Sequence, residues 1–274
     1  MDGGPLMQWI VPAEHVGSPA IYVLVVLSAF FLTGFSKGGF GGVGSVAVPL
    51  LLLVMPPKLA LGMWLPLLIW MDILTMRWYP RQWELRPILL MAPWVVIGIV
   101  GGWLLLDVLD ARRLKVCVGA LAAGFPLLEI ARGRVARYVR NGRPSQAWRP
   151  GLISAGPFGL GAGVSTMIAH AAGPFTTIYF LLQRMDPPTF VGTAARFYFV
   201  FNTVKVPFFI QRGFIDGHSL AVSLWLVPLA PLTIWAGWAL NRRVSTVVFV
   251  RIVYVLLVLT GTYLVYANVG GVEK

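Results

Sequence analysis

Acidic side chains are scarce in this chain: ten Asp and Glu stand against 22 Lys and Arg in 274 residues. Charged residues make up only 12% of the sequence, about half the share of a soluble domain. There is one cysteine, Cys117, inside an apolar run, so an intrachain disulfide is excluded and no thiols lie at metal-ligand spacing. Paired carboxylates, a His/Cys metal set and a Walker-type phosphate loop are all missing, which leaves enzyme chemistry little to work with. Lys and Arg are absent from Met1 to Ser18. A secretory signal needs a basic n-region, so no cleavage is expected. Neither a cofactor nor a metal is called for.

What the chain does have is apolar length. It is 58% hydrophobic with a mean hydropathy of +0.79, and the apolar residues come in long runs rather than alternations. That pattern belongs in a bilayer. The net charge of +12 sits mostly in turns, and Arg132, Arg134, Arg137, Arg140, Arg143 and Arg149 share one hydrophilic stretch. Juxtamembrane cations of this kind set topology or touch acidic lipid, and argue against a nucleic-acid partner.

Two glycine-rich stretches interrupt the apolar runs: Ser36-Lys37-Gly38-Gly39-Phe40-Gly41-Gly42 and Gly159-Leu160-Gly161-Ala162-Gly163-Val164-Ser165-Thr166. Paired breaks at corresponding points of two halves point to a transporter's binding site. Apolar runs predict segments at about 20–35, 43–55, 59–79, 87–106 and 114–131, then 151–163, 164–182, 188–211, 219–240 and 248–267. Aligned landmarks suggest duplication. Pro56-Pro57 matches Pro187-Pro188 at an offset of 131, Pro93 matches Pro228 and Gly102-Trp103 matches Gly237-Trp238 at 135, and Asp72 aligns within one position of Asn202.

The expected fold is therefore an all-α polytopic membrane protein of two inverted repeats. Each repeat has about five hydrophobic segments, the first two forming a broken, glycine-rich hairpin that either spans or re-enters. The expected divisions are an outer N-terminus (1–19), a first repeat (20–131), an Arg-rich cytoplasmic linker (132–149), a second repeat (150–267) and an outer C-terminus (268–274). Three full spans per half, an odd number, invert the second half. The positive-inside rule then puts the linker, Arg77, Arg81, Arg86, Arg184, Arg242 and Arg243 in the cytoplasm and both termini outside.

Few ionisable groups remain within the spans. A Lys or Arg near the bilayer centre costs about 2.5–3.5 kcal/mol on insertion scales, so such residues are usually functional or paired. Lys37, Arg196 and Lys205 oppose one deep acid, Asp72, and an anion would neutralise the surplus. Lys37 either points into a midplane cavity or snorkels to the cytoplasm. The glycines either let a ligand approach backbone N–H groups or let helices pack closely. Ser165, Thr166 and His170 suit an oxyanion or a proton-dependent gate, unless His170 merely bonds a neighbouring carbonyl. Asn202 and Lys205 share a helix face, and Lys205 either serves the site or pairs with Asp72. Asp72 and His170 are the candidates for proton coupling.

These residues resemble the sulfite exporter TauE/SafE family. The resemblance covers roughly residues 20–267 and is carried by Gly34-Phe35-Ser36-Lys37-Gly38-Gly39-Phe40-Gly41-Gly42 with Val48-Pro49, the Pro56-Pro57 turn, Leu65-Pro66-Leu67-Leu68 to Asp72, Ile168-Ala169-His170-Ala171-Ala172-Gly173-Pro174, and Asn202 to Lys205. Many members carry three adjacent glycines and a Val-Pro in the second break, where this chain has Gly161-Ala162-Gly163 followed by Ser165 and Thr166. The resemblance implies a multi-pass carrier in a bacterial inner membrane, exporting sulfite, an organosulfonate or another small organic anion. The expected substrate-binding set is Ser36, Lys37, Gly38, Gly39, Gly41, Gly42, Ser165, Thr166, His170, Arg196, Asn202 and Lys205. A homodimer is plausible by base rate. A membrane-embedded enzyme and an anion channel are the readings from other classes.

Overall fold

A computed structural model describes residues 11–39, 43–141, 151–241 and 246–269. Gly41 and Gly42, much of the linker, Arg242 and Arg243 lie outside the described residues. Within them every regular element is helical, as the long apolar runs require. The first half holds α1 (Pro19–Lys37), a 3₁₀ turn (Val43–Val46) leading into the short α2 (Ala47–Leu51), α3 (Pro57–Trp78), α4 (Leu85–Val108) and α5 (Ala111–Asn141). The second holds α6 (Leu152–Ala169), α7 (Gly173–Leu182), α8 (Pro187–Gln211), α9 (Gly217–Leu224), a 3₁₀ turn (Val227–Leu229), α10 (Ala230–Asn241) and α11 (Thr246–Val269). Among the described residues four helices, α1, α3, α4 and α6, are long and apolar enough to cross a membrane, and α9 with its continuation, bent by 41°, is a fifth if the pair forms one span.

Local chemistry explains the boundaries. Each long third helix starts at a double proline, where the missing N–H is harmless and φ is already set. Pro56 and Pro57 open α3. Pro187 and Pro188 open α8 behind Asp186, whose side chain accepts from the Thr189 amide at 3.2 Å. Ser18 caps α1, and Asp216 caps α9 through a reciprocal box with Ser219.

Three expectations change. The glycine-rich run 159–166 is not a break: α6 continues through it to Ala169, and the chain turns only at His170–Ala172. These glycines serve close packing instead. A Cβ at Gly163 would stand 2.3 Å from the Val95 carbonyl oxygen and 2.8 Å from the Gly98 Cα, and one at Gly159 would stand 2.6 Å from the Trp94 Cβ. The apolar run 219–240 is not one rod but is broken between α9 and α10. Finally, α5 extends to Asn141, carrying helix into the first part of the Arg-rich stretch.

Small residues also form the other helix seams, since lipid supplies no hydrophobic drive between helices and close contact must hold them. Gly34 and Thr233 join α1 to α10, while Gly119 and Gly261 join α5 to α11. The first helix of each half thus packs against the fourth segment of the other, and the two fifth helices pack together. The third helices, α3 and α8, meet in the middle, between the two breaks.

Candidate functional site

The first break delivers a lysine. Helix α1 ends on Lys37, where a cation complements the helix C-terminal dipole. The Gly38 amide closes the last turn onto the Gly34 carbonyl at 3.0 Å. Gly39 then takes φ +144°, a conformation that side-chain-bearing residues avoid. The Lys37 ammonium ion-pairs with Asp72 of α3 and stands 4.5 Å above the Tyr198 ring centroid. Asp72 is wholly buried, and its second oxygen accepts from Asn202 Nδ2 of α8 at 3.0 Å.

The second break delivers a histidine. His170 follows α6 in the left-handed region at φ 51°, which few residues other than glycine tolerate. Its amide bonds the Thr166 carbonyl at 3.1 Å, and the Ala171 amide bonds Ser165 at 3.3 Å, the pattern of a left-handed helix cap. His170 Nε2 donates to the Leu61 carbonyl of α3 at 3.0 Å. That fixes the tautomer and leaves Nδ1 as acceptor for Lys205 Nζ at 2.9 Å. The buried Lys205 Nζ also lies 3.1 Å from the Thr166 carbonyl and 2.9 Å from its hydroxyl. These three partners are all neutral.

Between the breaks lies a cavity enclosing about 730 Å³, part of it open to solvent. Its walls come from α1 (Ser36, Lys37), α3 (Leu68, Thr75), α6 (Thr166), the second break (His170), α7 (Gly173, Thr177) and α8 (Ala194, Tyr198, Asn202). Counted at formal charges, two lysines, Lys37 and Lys205, stand against one carboxylate, Asp72, a sum of +1 when all three are ionised. A cation would be repelled there, and an anion would be held by charge-assisted hydrogen bonds.

The structure gathers Ser36, Lys37, Gly39, Thr166, His170 and Asn202 around this cavity, with Lys205 directly behind His170 and Thr166. Other expected residues lie elsewhere. Lys205 does not pair with Asp72 as one reading allowed: Lys37 reaches that carboxylate first. Gly38 is buried against the Trp238 backbone. Ser165 spends its hydroxyl on the Gly161 carbonyl at 2.6 Å. Arg196 is turned to the far end of α8, where it donates to the carbonyls of Tyr79, Pro80 and Gly192 at 2.9–3.1 Å and stacks on Trp83. It pins the α3–α4 connection and does not line the cavity. Tyr198 and Thr177 are cavity residues that the sequence reading passed over. Tyr198 was within reach, because it lies four residues before Asn202 and so shares its face. Thr177 gave no such signal.

The model of the sulfite exporter TauE/SafE family matches residues 26–264, nearly the whole chain and both sides of the cavity. The chain belongs to that family. No curated protein and no solved structure matches it.

Proposed function

We propose that this member of the TauE/SafE family exports a small sulfur oxyanion, sulfite or an organosulfonate, across a bacterial inner membrane. The observation that carries the reading is the pair of lysines at one cavity: Lys37 on its wall, and Lys205, fully buried and touching no carboxylate, directly behind it. A buried cation without a counter-ion is expensive, and a bound anion supplies the missing charge. Lys37 is the exchangeable member. It is the cation at the cavity wall, with Tyr198 above it, while Asn202 continues to hold Asp72 when Lys37 turns to the anion. The electrical gradient suffices to drive export: each negative charge moved outward gains about 2.3 kcal/mol per 100 mV of inside-negative potential.

Inverted repeats and alternating access fit the packing. At the 135-residue offset, positions 98 and 233 are equivalent, and each meets a glycine of the opposite half's first helix: Gly98 meets Gly163, and Thr233 meets Gly34. If Arg77 and Arg184 mark the cytoplasmic face, the cavity lining of Thr75, Phe190 and Ala194 runs toward the cytoplasm. Toward the other end of α3 the packing is tight. A Cβ on Gly62 would stand 1.7 Å from the Phe214 carbonyl oxygen, and the Phe209 and Phe214 rings meet edge to face at 5.4 Å. This is the arrangement of a carrier ready to load cargo from inside.

The test is efflux of sulfite and of a simple sulfonate from proteoliposomes. Lys37→Ala alone would strand a buried carboxylate, so the decisive variant is Lys37→Ala with Asp72→Asn, which removes both charges. Flux falls to background in that variant at unchanged melting temperature, and Lys37→Arg retains part of it. Full flux in the double variant overturns the reading.

A further inference from the structure

Among the described residues the buried Ser and Thr hydroxyls within helices have a common behaviour, and Thr177 departs from it. A Ser or Thr inside a helix normally returns its hydrogen to a carbonyl one turn back. Thr33 donates to Ala29 at 2.8 Å, Thr75 to Met71 at 2.8 Å, Ser165 to Gly161 at 2.6 Å and Thr260 to Leu256 at 2.6 Å. Thr177 is 2% exposed and lines the cavity, yet its hydroxyl has no hydrogen-bond partner. Its neighbour Thr176 is by contrast well supplied: that hydroxyl lies 3.0 Å from the Gly173 carbonyl, 3.2 Å from that of Ala172 and 2.6 Å from Tyr198 Oη. An unpaired buried hydroxyl costs about 1–3 kcal/mol.

A second observation falls in the same place. Gly173 begins the ten-residue helix α7 and lines the same cavity. The cap residue, Ala172, has no side chain able to satisfy the first-turn amides. Pro174 carries no N–H, so the donors left there are the amides of Gly173 and Phe175. Thr177 is one turn further on, on the face of Gly173. The start of α7 at Gly173, the positive end of its dipole, and the unpartnered Thr177 hydroxyl therefore share one cavity with Lys37 of α1.

We propose that Thr177 and the open first turn of α7 form the second half of the anion site and set its preference for anions with three oxygens on one centre. This rests on the cavity being an anion carrier's site. One oxygen of a sulfite or sulfonate group takes the Lys37 ammonium, the second takes the Thr177 hydroxyl, and the third takes the first-turn amides. A carboxylate has two oxygens and leaves one donor set without a partner. Thr177 is then the residue that discriminates between the two classes.

The experiment compares Thr177→Val, of the same shape without the hydroxyl, and Thr177→Ser, which keeps it, with the parent protein in proteoliposomes. Efflux of sulfite and methanesulfonate is measured over a concentration series, with acetate as competitor, and melting temperature is followed in parallel. Thr177→Val raises the half-saturating concentration of sulfite and methanesulfonate by tenfold or more, the effect of one lost bond to a charged group. It changes acetate competition less than twofold. Thr177→Ser restores the parent values. The proposal is overturned if Thr177→Val leaves half-saturation for sulfite unchanged, if all three anions weaken alike, or if Thr177→Ser behaves like Val. Should Val lower the melting temperature, the Ser variant alone decides, by the same preference ratio. Persistence of flux in the Lys37→Ala/Asp72→Asn protein would instead remove the anion site itself.

Discussion

The two breaks occupy corresponding places in the two halves but carry their cations differently. In the first, Lys37 sits on a glycine-capped helix end, is partly exposed at the cavity wall and holds a single carboxylate. At the second, the cation comes from α8, not from the break itself. Lys205 is wholly buried and bonds to Thr166 and His170, which the left-handed cap of α6 holds in place. The difference separates two jobs. A lysine with one partner facing open space can exchange that partner for a ligand. A lysine held by neutral groups fixes the shape of the site and adds its charge from behind.

The largest test of that division removes the exchangeable pair. Lys37→Ala with Asp72→Asn reduces sulfite efflux at least 100-fold, about 2.7 kcal/mol, with a melting temperature near that of the parent protein. Lys205→Met gives the opposite balance. It strands His170 Nδ1 and takes a partner from the Thr166 hydroxyl, so stability drops by about 1–3 kcal/mol in thermal unfolding, and sulfite binding weakens with it. If Lys205→Met spared stability and the double variant did not, the assignment of the two lysines would be reversed.

A smaller pair of variants asks whether the glycines of α6 pack or break. Gly163→Ala drives a methyl into the Val95 carbonyl and the Gly98 backbone and destabilises by about 1–3 kcal/mol. Gly101 has open space around it, and Gly101→Ala is neutral or stabilising by up to about 1 kcal/mol. Equal effects would mean that α6 is not held by close contact.

The smallest effect lies outside the spans, at Asp216. Hydrogen bonds from the Ser219 backbone and then its side chain, reinforced by Lys58, hold the Asp216 carboxyl below the usual carboxylate range despite some desolvation. A depressed folded value adds stability above the unfolded value, near 3.9, and loses it as pH falls through the folded one. Asp216→Ala therefore lowers stability by about 1 kcal/mol at neutral pH. The difference from the parent protein narrows as pH falls through the depressed folded value. A gap that persisted in acid would remove the charge from the explanation.

Much of this was readable from residues alone. Long apolar runs with few charges dictate membrane helices, and Pro56-Pro57 and Pro187-Pro188 mark the starts of α3 and α8 to within a residue or two. Lys37, His170 and Asn202 stood out because ionisable or polar groups are rare in such runs, and the structure brings them to one cavity. The second break was misplaced because glycine has two uses in a bilayer. Gly159, Gly161 and Gly163 fall on helix faces that need close approach, while the turn is made by His170, a residue that rarely takes a left-handed conformation. Arg196 looked like a site residue by depth, but its long side chain reaches back to the Tyr79 and Pro80 carbonyls. That the Thr177 hydroxyl is left without a partner depends on how the side chains of α7 pack, and sequence spacing does not decide that.

Equilibrium binding of sulfite to the purified protein tests the central claim most directly, comparing the parent chain with the Lys37→Ala/Asp72→Asn protein at matched fold and ionic strength. Saturable binding to the first and none to the second is the result expected. Equal binding by both would place the anion elsewhere and contradict the account.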